Sequence, residues 1–463
     1  MNKVLICQVL FFLLLVSCSR EPIQTNPLIA DQNCTKELMD PLTGDEVRVL
    51  AQHFSSNRVS EEDAMETAMD IIQLLDSNPI TRVGGKRHLD NVSILTNKSF
   101  HIKDATKSGY SEVDKEDTLA YAVSFGDGLG YAILSADRRT DAILAVCSEG
   151  NPDTESVVQD TTSGAYFFYA NLENFIEKQI EEAKDREDLY LADALAKIEA
   201  DTLNVIASDD SLAGTKCIYY FTTSQYGAWS ISGNLKPLVN LSWSQGVISP
   251  QGNVYNALCP VIDGKHAPVG CEAVAAAQVM AYWEYPSWYN WMAMKERPSA
   301  FYVSVAGQND ISRLLRDIGL GSGMKYKLSG SGTVDSKIVN YFRNVGYKSP
   351  GRIGGYNDTV IAESLNRGVP VMVGGYQSFF GTGGHEWIID GYNTLQRTVT
   401  VTVRWRVLWW HNEYTYSYNE YCPQFHCNFG WGGRDNGYYN SKAFNTSNGS
   451  YNWWVNCIYD IVP

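Results

Sequence analysis

The chain has 463 residues, 44% of them hydrophobic and 19% charged, the proportions of a folded protein with room for two or three domains rather than a disordered one. Its net charge of -15 offers no basic surface for nucleic acid, so no nucleic-acid partner is expected. Residues 1–220 hold 37 acidic and 19 basic residues against 15 and 18 in 221–463, a complementarity that fits an acidic first half covering the second as an intramolecular inhibitor.

Met1 to Ser17 has the form of a secretion signal: Lys3 is followed by an apolar run, Val9 to Val16, too short to span a bilayer. Leu15-Val16-Ser17-Cys18 then has the pattern of a bacterial lipobox. Lipidation of Cys18 is expected, the other reading being an ordinary signal peptide with a cysteine near its cleavage site. Either way the chain is exported, to the periplasm or the cell surface. Residues 18–55 read as a polar, lipidated tether. Seven cysteines remain besides Cys7, Cys18 and Cys271, an odd number that argues against a dense disulfide framework. Cys422, His426 and Cys427 lack a second ligand pair at zinc spacing, so no metal is expected.

Ser60 and Asp63 form a capping pattern ahead of an amphipathic helix carrying Ala64, Ala68, Ile71 and Leu75. Strands follow at 119–125, 131–135 and 142–146, the first two joined by the turn Gly126 to Gly130. From Phe167 to about Val205 the pattern is helical with acidic faces. Residues 56–210 therefore read as one α+β domain. The small polar stretch from Ala207 to Gly214 opens a linker, 211–234, suited to a maturation cut between about 207 and 234.

The second half, 235–463, carries the chemistry. Gly270-Cys271 opens a helix of small residues to Trp283, and a helix N-terminus favours the thiolate, so Cys271 is the candidate nucleophile. A buried structural cysteine is the plainer reading of that stretch taken alone. Gln245 and the Cys271 amide are candidate donors to an oxyanion. Helices are expected over 310–317 and 335–342, separated by a glycine-rich loop at 319–332 that contains no phosphate-binding pattern. Two strands, 370–375 and 383–392, follow. His385 begins the second between glycines and is the candidate base. A third strand carries Gln424 to Tyr439, with Asn428, Phe429 and Trp431 placed to orient and shield the imidazole.

Taken together, Trp243-x-Gln245-Gly246, Gly270-Cys271 with its alanine-rich helix ending at Tyr285-Pro286, Gly383-Gly384-His385-x-x-x-Ile389-Asp390-Gly391, and Asn428-x-Gly430-Trp431-Gly432-Gly433 resemble the streptopain family of papain-like cysteine peptidases. The first half resembles that family's propeptide through the Ser60–Ala68 helix and the run from Gly130 to Thr140.

The resemblance implies an α+β fold. A papain-like domain, helical part plus antiparallel sheet, spans 235–463 and is preceded by an α+β inhibitory propeptide at 56–210. It implies a zymogen cleaving protein or peptide substrates without a cofactor, with Cys271 as nucleophile, His385 as base and acid, and Gln245 as oxyanion donor. It also implies a taste for an apolar residue one position before the residue whose carbonyl is attacked. Phe429 departs from the family's tryptophan, which passes support of the imidazole to Asn428 and Trp431, and the segment 401–421 is longer than the family hairpin. A cell-wall amidase and a non-catalytic binding lipoprotein on the same fold are the competing functions.

Overall fold

The computed structural model describes residues 41–77, 86–96, 118–152, 164–208, 218–246, 254–376, 384–407, 410–445 and 454–463. The signal-like segment and Cys18 lie outside them. The chain divides into two compact units. One takes residues up to Ser56, Lys184–Tyr226 and Thr398–Tyr418; the other takes Asn57–Ala183, Gly227–Arg397 and Asn419–Pro463. The units break beside the boundary read from sequence at 56 and within 211–234, but they also divide 56–210 after Ala183 and 235–463 after Arg397 and Tyr418.

In the first unit, part of the expected tether is a helix, α1 (Gly44–Phe54). Thr43 and Glu46 form a capping box: the Thr43 hydroxyl takes the Glu46 amide at 3.3 Å, and the Glu46 carboxylate takes the Thr43 amide at 2.7 Å. Behind this cap Val47, Leu50 and Ala51 are buried with Ala194, Ile198, Val399, Val401, Val403 and Trp405. Enough apolar residues hide among the polar ones to order the segment, which corrects the tether reading.

The linker reading is corrected as well. Within 211–234, β5 (Tyr219–Tyr226) pairs antiparallel with residues 399–406, and in the second unit β6 (Ser230–Leu235) pairs with residues 392–396. Alternating threonines and aromatics suit a half-buried strand, so the segment is sheet rather than free chain.

The second unit begins with α2 (Glu61–Ser77), whose Ala64, Ala68 and Ile71 pack on Tyr121, Val123 and Phe125. Strands β1 (Val92–Thr96), β2 (Thr118–Ser124), β3 (Tyr131–Ser135) and β4 (Ile143–Cys147) form an antiparallel meander. The 45-residue helix α3 (Gly164–Ser208) gives its first part to this unit and the remainder to the other. After a small hairpin, β7 (Val261–Ile262) and β8 (Lys265–His266), come the helices α4 (Cys271–Trp283), α5 (Trp291–Met294), α6 (Val305–Gly321) and α7 (Asp335–Asn344). Then follow β9 (Ser349–Gly355), α8 (Asp358–Asn366), β10 (Val371–Tyr376), β11 (Gly384–Val407), β12 (Trp410–Asn428), β13 (Gly437–Asn440) and β14 (Trp454–Val462).

The sheet order is β1-β2-β3-β4-β13-β12-β11-β10-β14-β9. The propeptide-like meander thus continues the sheet of the second half through β4 and β13, where Cys147 opposes Gly437. The single strand expected over 424–439 is in fact two, because Gly430, Gly432 and Gly433 adopt positive φ between β12 and β13 and turn the chain.

Successive side chains of a strand point to opposite faces, and the central sheet shows two different covers. On one face Met372, Ile388 and Ile458 meet Val274 and Ala277 of α4, Ile311 and Leu315 of α6, and Ile338 and Phe342 of α7. On the other, Val371, Val373, Trp387 and Ile389 meet Phe167, Phe168 and Leu172 of α3. This is the expected α+β class, with helices against an antiparallel sheet.

Candidate active site

Cys271 is the first residue of α4. Gly270 before it has φ +98°, and a Cβ there would lie 2.7 Å from Met324, so the turn that delivers the cysteine requires glycine. Residues 271–281 are all buried, the alanines allowing the helix to sink into the core. Cys271 is 8% exposed and its sulfur lies 3.5 Å from Glu272 Oε2.

The surroundings of Cys271 work against the lowering that a helix N-terminus gives a thiol. Burial first, then the charges of Glu272 and Glu386, push the Cys271 thiol well above its ordinary value. A backbone hydrogen bond from Glu386 opposes them without prevailing.

Gln245 is buried, and its carbonyl accepts the Val269 amide at 2.9 Å, two residues before Cys271. Its neighbours are tied to the turn after β12: Ser244 bridges Trp431, and the Gly432 amide donates to Trp243 O at 3.1 Å. The structure therefore gathers the Gln245 segment, the Cys271 turn and the Trp431 turn.

His385 sits beside this group but is turned from it. In the regular register of β10 with β11, Gly375 opposes His385 and Gly374 opposes Glu386. Glu386 shares the face of Ile388, toward α4, whereas His385 shares that of Trp387 and Ile389, toward α3. The glycines confirm the two sides: a Cβ on Gly375 would strike the Phe167 ring at 2.7 Å, and one on Gly374 would strike the Tyr376 hydroxyl at 2.7 Å. The imidazole is 1% exposed and its Nε2 donates to the Phe429 carbonyl at 2.7 Å. Trp431 and Trp387 flank the ring, with centroids 6.1 and 6.3 Å away and interplanar angles of 24° and 11°.

The supporting residues divide between the faces. Asn428 Nδ2 donates to Leu241 O at 2.7 Å and to Gln278 Oε1 at 2.8 Å, and its Oδ1 takes the Gly430 amide, so it ties β12 to α4. Phe429 serves the imidazole through its carbonyl, while its ring lies where a Cβ on Gly164 would come within 2.0 Å. The Trp431 ring lies stacked beside the imidazole.

Against this geometry the comparisons can be set. A model of the peptidase C10 family matches residues 250–288 and 287–439. Streptopain of Streptococcus pyogenes serotype M1 is 24% identical over 468 aligned residues, covering 89% of this chain and 93% of that protein. These matches support the resemblance of this chain to the streptopain family of cysteine peptidases. Streptopain from serotype M28, strain MGAS6180, is 23% identical over the same shares. Among solved structures, a prointerpain A fragment from Prevotella intermedia matches at 18% identity with TM-score 0.49, covering 76% of this chain and 98% of that one. Active interpain A from the same organism matches at 20% and 0.36, covering 49% and 95%.

Sequence reasoning passed over four groups near this candidate site: Glu272, Glu386, Asp335 and Tyr376. Glu272, 5% exposed, takes the Thr333 amide at 3.1 Å, and burial pushes its carboxyl up to about 7. Glu386, 2% exposed, is raised well above the usual range by burial and by Asp335 and Glu272. Asp335, also raised by burial, accepts the Tyr376 hydroxyl at 2.6 Å. The available signal was alternation: if His385 sits in a strand, Glu386 must face the other way, and Glu272 follows the nucleophile directly.

Proposed function

We propose that this chain is a lipid-anchored cysteine endopeptidase made as a latent precursor, acting by Cys/His acyl transfer. The observation that carries the reading is the gathering of the Gln245 segment, the Cys271 turn and the Trp431 turn, whose ring stacks beside His385. In the working state the Cys271 thiolate attacks the peptide carbonyl. The Gln245 amide and the Cys271 N–H hold the oxyanion, and His385 protonates the leaving amine and then activates water.

Latency follows from the faces of β11. The imidazole is directed toward α3, and burial, with the charges of Glu272 and Glu386, pushes the thiol up. Phe167 fills the space beside Gly375 on the imidazole side. Removing the propeptide-like residues takes that wedge away, and a local rearrangement of β11 then brings His385 across to Cys271. Export with lipidation at Cys18 puts the enzyme on a membrane surface, with protein or peptide substrates and its own propeptide as partners.

The test follows the size of the full chain over time, with and without Cys271→Ala. Self-processing predicts loss of the N-terminal part, ending between 207 and 234, only when Cys271 is present. Equal maturation of both forms would refute it. A Cys18→Ala chain that still partitions with membranes would refute the anchor.

A further inference from the structure

Resting on the peptidase reading, we propose that Gln278 is a positioning residue: acting through Asn428, it sets the Gln245 segment, and with it the oxyanion donor, against the nucleophile Cys271. Gln278 stands seven residues after Cys271 on α4, two turns on and therefore on the same side of the helix. It is fully buried, and its Oε1 accepts a hydrogen bond from Asn428 Nδ2 at 2.8 Å.

Asn428 joins three parts of the centre. Its Nδ2 also donates to Leu241 O at 2.7 Å, on the segment that leads to Gln245, and its Oδ1 accepts the Gly430 amide at 3.2 Å. The bond to Gly430 shapes the turn after β12, in which Gly430 and Gly432 have φ of +71° and +72°. That turn grips the Gln245 segment a second time, through the Gly432 amide on Trp243 O at 3.1 Å. Both grips depend on Asn428, and Gln278 is the side chain of the nucleophile's helix that holds Asn428. The turn also lies close on that helix: a Cβ on Gly430 would come within 2.9 Å of Val274, one turn past Cys271.

An apolar side chain would fill the Gln278 position at lower cost. The Nε2 of Gln278 is buried, and among the described residues it has no hydrogen-bond partner, a penalty that a methionine or leucine would not carry. What glutamine supplies in return is one acceptor for Asn428. None of the three Asn428 bonds involves β11 or the propeptide-like residues, so the arrangement holds while His385 changes faces on maturation. An oxyanion donor acts only once charge has developed on the carbonyl oxygen, so displacing Gln245 lowers kcat and spares KM. Alkylation of the thiol at a saturated carbon forms no oxyanion and should be insensitive to the displacement.

The experiment uses the full chain, each form trimmed by added protease to the matured length, with reactive Cys271 counted by an irreversible thiol reagent. A fluorogenic peptide amide gives kcat and KM, and iodoacetamide gives the alkylation rate. Gln278→Met keeps the side-chain length and removes the acceptor. It should lower kcat about 30-fold, less than the roughly 10²–10³-fold loss of a whole oxyanion donor, with KM and the alkylation rate within about threefold of the parent. On a Gln245→Ala background the same substitution should change kcat by less than about threefold, the group it positions being absent. If Gln278→Met does not fold, Asn428→Asp is read in its place: it keeps the bond to Gly430, removes both donated bonds, and should show the same split between kcat and alkylation. An unchanged kcat, an equal fall in alkylation, or a fall of the same size without Gln245 overturns the inference and leaves the peptidase reading standing. A trimmed parent with no thiol-dependent hydrolysis refutes that reading, and the inference with it.

Discussion

The two faces of β11 at the active centre differ in kind. Toward α4 the strand presents Glu386 to a thiol and two further carboxylates, groups whose charge depends on pH and on what enters. Toward α3 it presents His385 to Trp387, Trp431 and Phe429, an aromatic box closed by the wedge of Phe167. One face is electrostatically unfinished and the other is fully packed. The difference teaches that the two candidate residues are separated by strand alternation rather than by distance along the chain: of adjacent residues 385 and 386, the structure gives Glu386 the face of α4 and His385 that of α3.

The comparison can be broken by removing either chemical partner. Cys271→Ala and His385→Ala, each trimmed by added protease to the matured length, should lower kcat/KM on the order of 10⁴-fold or more, as for residues that act as one unit, measured with a peptide substrate. Rates within tenfold of the parent would deny one face its role.

A smaller effect, on stability, comes from the acidic face. A carboxyl whose folded pKa is raised stabilises the native state while protonated, and that contribution is lost as pH rises through the folded value. For Glu272, moved from 4.5 to about 7, the loss spans roughly pH 4.5 to 7 and amounts to about 3 kcal/mol. Urea midpoints of the full-length Cys271→Ala chain should therefore fall across that window, and Glu272→Gln should flatten the decline. A midpoint rising over the same range would contradict the sign.

The packed face is tested by Gly375→Ala. The new methyl must displace the Phe167 ring, costing the precursor about 1–3 kcal/mol as overpacking. We expect faster maturation in a gel time course, the wedge being loosened without touching Cys271 or His385. Unchanged maturation with the expected loss of stability would separate the wedge from latency.

The smallest effect comes from Thr43→Ala, in neither face. Loss of the capping box should cost about 1 kcal/mol in the first unit and leave the maturation rate unaltered. It serves as the reference for destabilisation alone.

Much of this was legible in the residues because the signals were local. The α4 helix announced itself by glycine before cysteine and by alanines, the β2–β4 strands by alternation and a glycine turn, and the His385 strand by its flanking glycines. Helix α1 was missed because Val47, Leu50 and Ala51 find their partners far along the chain, in Ala194, Ile198 and the strand around Val401. The segment 219–235 was missed because a strand of threonine, serine and tyrosine looks like linker until its partner strand is known.

At the site, motifs single out Cys271, His385 and Gln245 as candidates, but they do not show the face His385 occupies. That depends on the pairing of Gly375 with His385 and on Phe167, more than two hundred residues upstream. The raised thiol depends on burial, which works against the helix-end field that sequence alone could supply.

The pairing of Cys147 in β4 with Gly437 in β13 carries a consequence for how the molecule is made. The meander β1–β4 uses near neighbours and has all its partners early in synthesis, whereas β13 and β14 emerge last and complete the sheet across long closures. Chains dominated by such distant pairings fold slowly, because closure entropy is met before the contacts that reward it. The upstream half is thus a folding template whose open β4 edge waits for the C-terminus. Pulse-labelled hydrogen exchange should show amides of β2–β4 protected before those of β10 and β14, and simultaneous protection would count against that order.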